Sequence, residues 1–216
     1  MRKSLLTIAA AAGVAALSVG TLHAQGEAPL LPGTLDTGRV TAGTYQLDAA
    51  HTLVGWRVDH FGFNDYFGLF GNVEGTLVID PANLASAQLD VSIPVAEVTT
   101  ASTGLTEHLL RAGSDGGQPD FFGAQPAPAR FISTSVEPTG ETTANVTGDF
   151  TLNGVTRPVT IAAEFTGAGA NPRNRAETIG FEGTATINRS EFGIGYAIPM
   201  VSDAVELDLS AAFEKQ

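Results

Sequence analysis

The sequence predicts an all-β fold: eight antiparallel strands that hide their apolar sides together, in a sandwich or in a barrel closed on itself. Three observations carry this prediction. Eight stretches alternate apolar and polar residues with a period of two, as in Ala87, Leu89, Val91, Ile93 and Val95 against Gln88, Asp90 and Ser92. Asn153-Gly154 falls between two such stretches and suits a two-residue hairpin turn, in which both central residues need positive φ. Glycines recur in or beside the strands, among them Gly55, Gly68, Gly148 and Gly183, where they permit the bends by which a sheet curls. A barrel of about eight strands is either filled by side chains or just wide enough for one small ligand. Its interior therefore decides its function.

Taken in order, residues 1–24 read as a secretory signal peptide. Arg2 and Lys3 precede an apolar run from Leu5 to Val19, and Leu22-His23-Ala24 offers a small residue at the junction. The run is shorter than the about 20 residues of a bilayer span. Residues 25–43 are rich in Gly, Pro and Thr without periodicity and read as a flexible leader. Residues 44–216 form one domain, with Thr44 to Asp48 as a short lead-in. Strands follow near 52–60, 67–79, 86–97, 130–137, 143–152, 155–166, 177–188 and 204–213. Between the third and fourth, Ser102 or Thr103 can cap a short helix carrying Leu105, His108 and Leu109. This helix and the Gly-rich loop after it are expected to lie across one end of the sheet. The Asn153-Gly154 turn sets Leu152 opposite Val155, Phe150 opposite Arg157 and Val146 opposite Ile161. Pro158 lacks an amide donor, so its strand should be unpaired on one side there.

The chain has no cysteine, so disulfides do not hold it together. Its formal charge is −12; without Arg2 and Lys3, 9 basic residues face 23 acidic ones, which gives −14. Such a surface repels nucleic acid and anionic membranes.

The aromatic residues form the candidate ligand-binding set. Trp56 and His60 share a strand face, and Phe61, Phe63, Phe67 and Phe70 follow at once. Phe121 and Phe122 come after the helix that carries His108, and Phe150, Phe165 and Phe181 fall on inward positions. Arg189 follows an inward-facing strand end and leads to Phe192. It is the candidate partner for an anionic head group, ahead of Arg111, Arg130 and Arg157. The same aromatics equally suit an ordinary filled core. His51, His60 and His108 have no zinc-ligand spacing, so no metal or cofactor is expected. Asp48 is placed to orient His51, a pair that could serve Ser190 or Ser202 as base and orienter, although no nucleophile elbow is present.

Several motifs, in order, resemble the YceI-like family of periplasmic, polyisoprenoid-binding proteins. They are Tyr45-x-Leu47-Asp48-x-x-His51, Val54-Gly55-Trp56, His60-Phe61-Gly62, His108-Leu109, Asp120-Phe121-Phe122 and Ala129-Arg130-Phe131. The longest are the runs from Gly148 to Val159 and from Thr186 to Gly193. The resemblance implies a lipocalin-like barrel, a periplasmic location and a non-enzymatic carrier whose interior takes up a long isoprenoid, an isoprenoid quinone or a similar amphiphilic lipid. The segment between Arg111 and Asp120 departs from the family pattern. Two other readings stand beside the carrier: a small His-dependent hydrolase or isomerase, and a filled-core module acting through its acidic face. The exposed stretch Phe61 to Phe70 suits either a transient membrane contact or a homodimer.

Overall fold

The computed structural model describes residues 30–216; the signal-peptide reading lies outside the described residues. One antiparallel sheet contains β1 Gly43–Leu47, β2 Leu53–His60, β3 Asn64–Phe70, β4 Glu74–Ile79, β5 Gln88–Ile93, β6 Thr99–Thr100, β7 Ala129–Pro138, β8 Thr143–Leu152, β9 Val155–Ala170, β10 Glu177–Asn188 and β11 Ala204–Lys215. Pairing runs β1-β4-β5-β7-β8-β9-β10-β11 and returns to β1, closing an eight-stranded barrel. Closure leaves the ring without an edge strand.

β11 spans 12 residues and holds two partners on the same side. Its C-terminal end pairs with β1, Leu47 facing Phe213, and its N-terminal half pairs with β2, Trp56 facing Leu207. β2, β3 and the short β6 thus extend from β11 as a flap at one end of the ring. The strand expected at 52–60 is outside the ring and β6 is an addition to the expected list, which differs in three further places. The lead-in at 44–48 is a full member of the ring. The single strand expected at 67–79 is two strands, broken at Gly71-Asn72-Val73, where Asn72 takes φ 51°. The strand expected at 86–97 stops at Ile93, because Pro94 cannot donate to the ladder and a 3-10 turn follows at Val95–Glu97.

The hairpin has the register expected from its turn. Leu152 faces Val155, Phe150 faces Arg157 and Val146 faces Ile161, with Asn153 at φ 50° and Gly154 at φ 76°. Pro158 pairs with Asp149 of β8, while β10 meets β9 only from Ala162 onward. Its other side is unpaired, as a missing donor requires. Helix α1, Thr103–Leu109, is capped by the Ser102 hydroxyl, which accepts from the Leu105 amide at 3.3 Å. The Leu109 carbonyl then accepts from the Phe122 amide at 3.0 Å, drawing the aromatic pair under the helix.

Part of the expected flexible leader is instead docked on the barrel. β9 runs past Glu164, where β8 ends, and so leaves a free edge. Thr34 occupies that edge: it donates to Ala168 O at 3.1 Å and accepts from Ala168 N at 2.9 Å. A 3-10 turn at Thr37–Arg39, capped by Asp36, carries the chain onward to β1. Thr41 donates from its amide and hydroxyl to the Glu177 carboxylate, at 2.9 and 2.8 Å.

Candidate functional site

The barrel encloses a lumen of about 1050 Å³ whose walls are almost wholly apolar. Ordinary ligand pockets run from about 300 to 1,000 Å³. The inward side chains of the ring therefore leave the interior unfilled, and the filled-core module does not describe this barrel. The lumen reaches from the flap and α1 at one end to the β4–β5 and β7–β8 turns at the other.

Eleven of the expected binding residues line it: Trp56, His60, Phe61, Phe70, His108, Phe121, Phe122, Phe150, Phe165, Phe181 and Arg189. At the α1 end His108, Phe121 and Tyr196 cluster, with His108 edge-on to both rings at 5.1 and 5.2 Å and the two rings 5.5 Å apart. The His108 Nε2 bonds Asp120 Oδ2 at 2.7 Å, which fixes the imidazole at the mouth. Deeper in the lumen, Phe181 meets Phe165 at 5.8 Å and Phe213 at 6.1 Å, both edge-on. Edge-on rings tile a wall without filling the space in front of it.

Three expected residues do not line the lumen. Phe67 is 59% exposed, because the alternation of β3 turns Tyr66, Gly68 and Phe70 to the opposite face. Phe63, 87% exposed, sits in the β2–β3 turn and faces solvent. Phe192 is buried but packs behind Phe150, at 5.4 Å between ring centres. Conversely, Tyr66, Leu105 and Tyr196 line the lumen and are missing from the set expected on sequence grounds. Strict alternation marks Tyr66; no periodicity marks Tyr196.

Arg189 is placed at the lumen, but four of its five N–H donors are already taken. It is 5% exposed and donates to four carbonyls: Nε to Ser202 at 2.8 Å, Nη1 to Ile194 at 3.1 Å and Tyr196 at 2.9 Å, and Nη2 to Val201 at 2.9 Å. Burial pushes its pKa down, opposed by the Asp203 carboxylate. Arg189 is thus the clasp of the loop between β10 and β11, and a head-group role for it is corrected. Arg130 forks onto Asp90 at 3.0 and 2.7 Å outside the barrel, Arg157 is exposed, and Arg111 lies 3.7 Å from Asp120. Among the described residues, Arg189 is the one lysine or arginine that borders the lumen.

Trp56 adds a polar feature. Its indole lies flat across Gly68, where a Cβ would fall 2.0 Å from Cζ2. Its Nε1 is buried and has no hydrogen-bond partner among the described residues, a group that normally finds one.

The Asp48–His51 pair and the two serines are not brought together. His51 bonds Asp48 at 2.7 Å, as expected, but on the exposed outside. Ser190 Oγ donates to Asp203 at 2.6 Å and Ser202 Oγ donates to Ala204 O at 2.7 Å.

A closed antiparallel barrel around an apolar lumen defines a protein built to enclose something. The chain belongs to the YceI-like family: the YceI-like domain model matches residues 45–213. A UPF0312 protein of Pseudomonas fluorescens is 34% identical, covering 94% of this chain and 97% of its own. One from Ectopseudomonas mendocina is 37% identical, covering 84% and 92%. Among solved structures, BcnA of Burkholderia cenocepacia is similar in fold, with TM-score 0.62 and 23% identity over 77% of this chain and 98% of that one. A polyisoprenoid binding domain from Saccharophagus degradans shares the fold at TM-score 0.55 and 14% identity, covering 80% and 98%.

Proposed function

We propose that this protein is an exported, periplasmic, non-enzymatic carrier of a long isoprenoid chain with an uncharged head, such as an isoprenoid quinone or polyprenol. The hollow apolar lumen is the observation that carries the proposal. Each buried CH₂ contributes about 0.8 kcal/mol, so one five-carbon unit supplies roughly 4 kcal/mol before costs. Ordering a flexible chain offsets part of this, and several units leave a useful surplus. Binding of this kind needs shape and apolar surface, and no catalytic group.

The uncharged head follows from the clasped Arg189. A diphosphate would need unspent cations, whereas among the described residues Arg189 stands at the lumen with the acidic side chains Glu141 and Glu182. His60, the His108–Asp120 pair and Tyr196 can instead receive a carbonyl or hydroxyl. Family membership and the binding named for the Saccharophagus domain support the isoprenoid reading. The apolar rim made by Phe61, Phe63, Tyr196 and Met200 supports a transient membrane contact where cargo passes.

The test is native mass spectrometry on protein gently isolated from a bacterial periplasm. A mass increment that extraction identifies as a neutral isoprenoid is the expected result. Apoprotein alone, which also refuses added polyprenol, would overturn the carrier.

A further inference from the structure

The far end of the lumen, opposite α1, is bordered by a segment that the YceI-like match does not include. Thr37, Gly38 and Val40 line the lumen there together with Pro81 and Leu84 of the β4–β5 turn and Thr142 of the β7–β8 turn. Residues 32–41 cross this end from the free edge of β9 to the start of β1 and are tied down at each step. Thr34 pairs with Ala168, Arg39 Nη1 donates to Thr34 Oγ1 at 2.7 Å, and Glu177 accepts from Thr41 and from the Tyr45 hydroxyl at 2.5 Å. The β9 edge is shaped for the crossing. A Cβ on Gly169 would fall 1.9 Å from Pro32 O, so glycine is what lets the two backbones meet.

We propose that this strap is the floor of the binding site and sets the longest isoprenoid the protein accepts, an inference that rests on the carrier reading. A chain entering by its tail from the α1 end stops at Thr37–Gly38. If each carbon takes about the ~30 Å³ share of a water molecule, the lumen holds about 35 carbons, or about seven isoprene units. Longer chains must leave the units nearest the head in water or double back.

The experiment compares binding of geranylgeraniol, solanesol and undecaprenol to the mature protein and to two variants. Gly169→Val drives a side chain into Pro32 and dislodges the strap. Thr37→Trp raises the floor from an exposed position, where folding is not at stake. The wild type is expected to bind solanesol and undecaprenol within about twofold of each other, because units beyond the seventh stay in water for both. Gly169→Val should let undecaprenol bind at least about tenfold more tightly than solanesol, a gap of about 1.4 kcal/mol, and Thr37→Trp should weaken solanesol at least about tenfold. If Gly169→Val is unfolded by circular dichroism, Thr37→Trp decides alone. An unchanged length profile in the folded variants overturns the strap's role and leaves the carrier standing. Failure of all three alcohols to bind the wild type overturns both.

Discussion

At the residue scale, the wall of the lumen depends on what is missing as much as on what is present. Trp56 can lie flat because Gly68, its cross-strand partner, has no side chain. Gly68→Ala is expected to push the indole into the lumen, costing about 1–3 kcal/mol of stability as an overpacked core does. It should also weaken polyprenol binding and shift Trp56 fluorescence; unchanged emission and affinity would show that the indole has room to spare. The site is partly legible in the amino-acid sequence. The aromatics of the ring strands follow the period of two and reveal themselves by it, as does His108 by its place on a capped helix. Phe63 and Phe67 join the expected set by mere proximity in sequence, although alternation assigns Phe67 to the outside. Arg189 reads as a spare charge because four carbonyls closing on one guanidinium from a loop leave no trace in a sequence.

At the element scale, two loose segments are held by carboxylates. Burial opposes ionisation of Glu177, but hydrogen bonds from Tyr45 and Thr41 prevail and hold its pKa below the usual value. The Ser190 hydroxyl and amide do the same for Asp203, which secures the loop between β10 and β11. A carboxylate whose pKa is depressed by folding stabilises the fold above its unfolded value, about 4, and loses that contribution as pH falls through the folded one. The melting temperature should therefore drop on acidification below about pH 4, and a Glu177→Gln, Asp203→Asn variant should drop less steeply. A parallel profile would remove these two groups from the account. The hairpin at Asn153-Gly154 is legible to the residue because the turn dictates register. The break before β4 is less so, although Gly71-Asn72 is a turn signal within an alternating run. The docking of residues 32–41 is hidden, since an edge pairing through backbone atoms needs no periodic side chains.

At the scale of the whole molecule, the mouth and the outer surface must satisfy opposite demands. The chain is strongly acidic, yet Phe61, Phe63 and Met200 are exposed together, with the Phe61 amide bonded to Met200 O at 2.7 Å. Such a tip suits the interfacial zone of an uncharged bilayer. The protein is expected to float with phosphatidylcholine vesicles, less so when anionic lipid is added. Phe63→Ser with Met200→Ser should reduce the partition constant at least about tenfold, since burying each large apolar side chain gains roughly 1.5–3 kcal/mol. If the same pair of substitutions instead turns a sedimenting dimer into a monomer, the tip belongs to a second copy of the chain. The emptiness of the barrel has one more consequence. Most proteins complete their packing from their own sequence, whereas on the carrier proposal the last part of this core is supplied by the guest. An unloaded molecule would then be the less stable one, more open to proteases, and the amount of protein surviving would become a running measure of the cargo available.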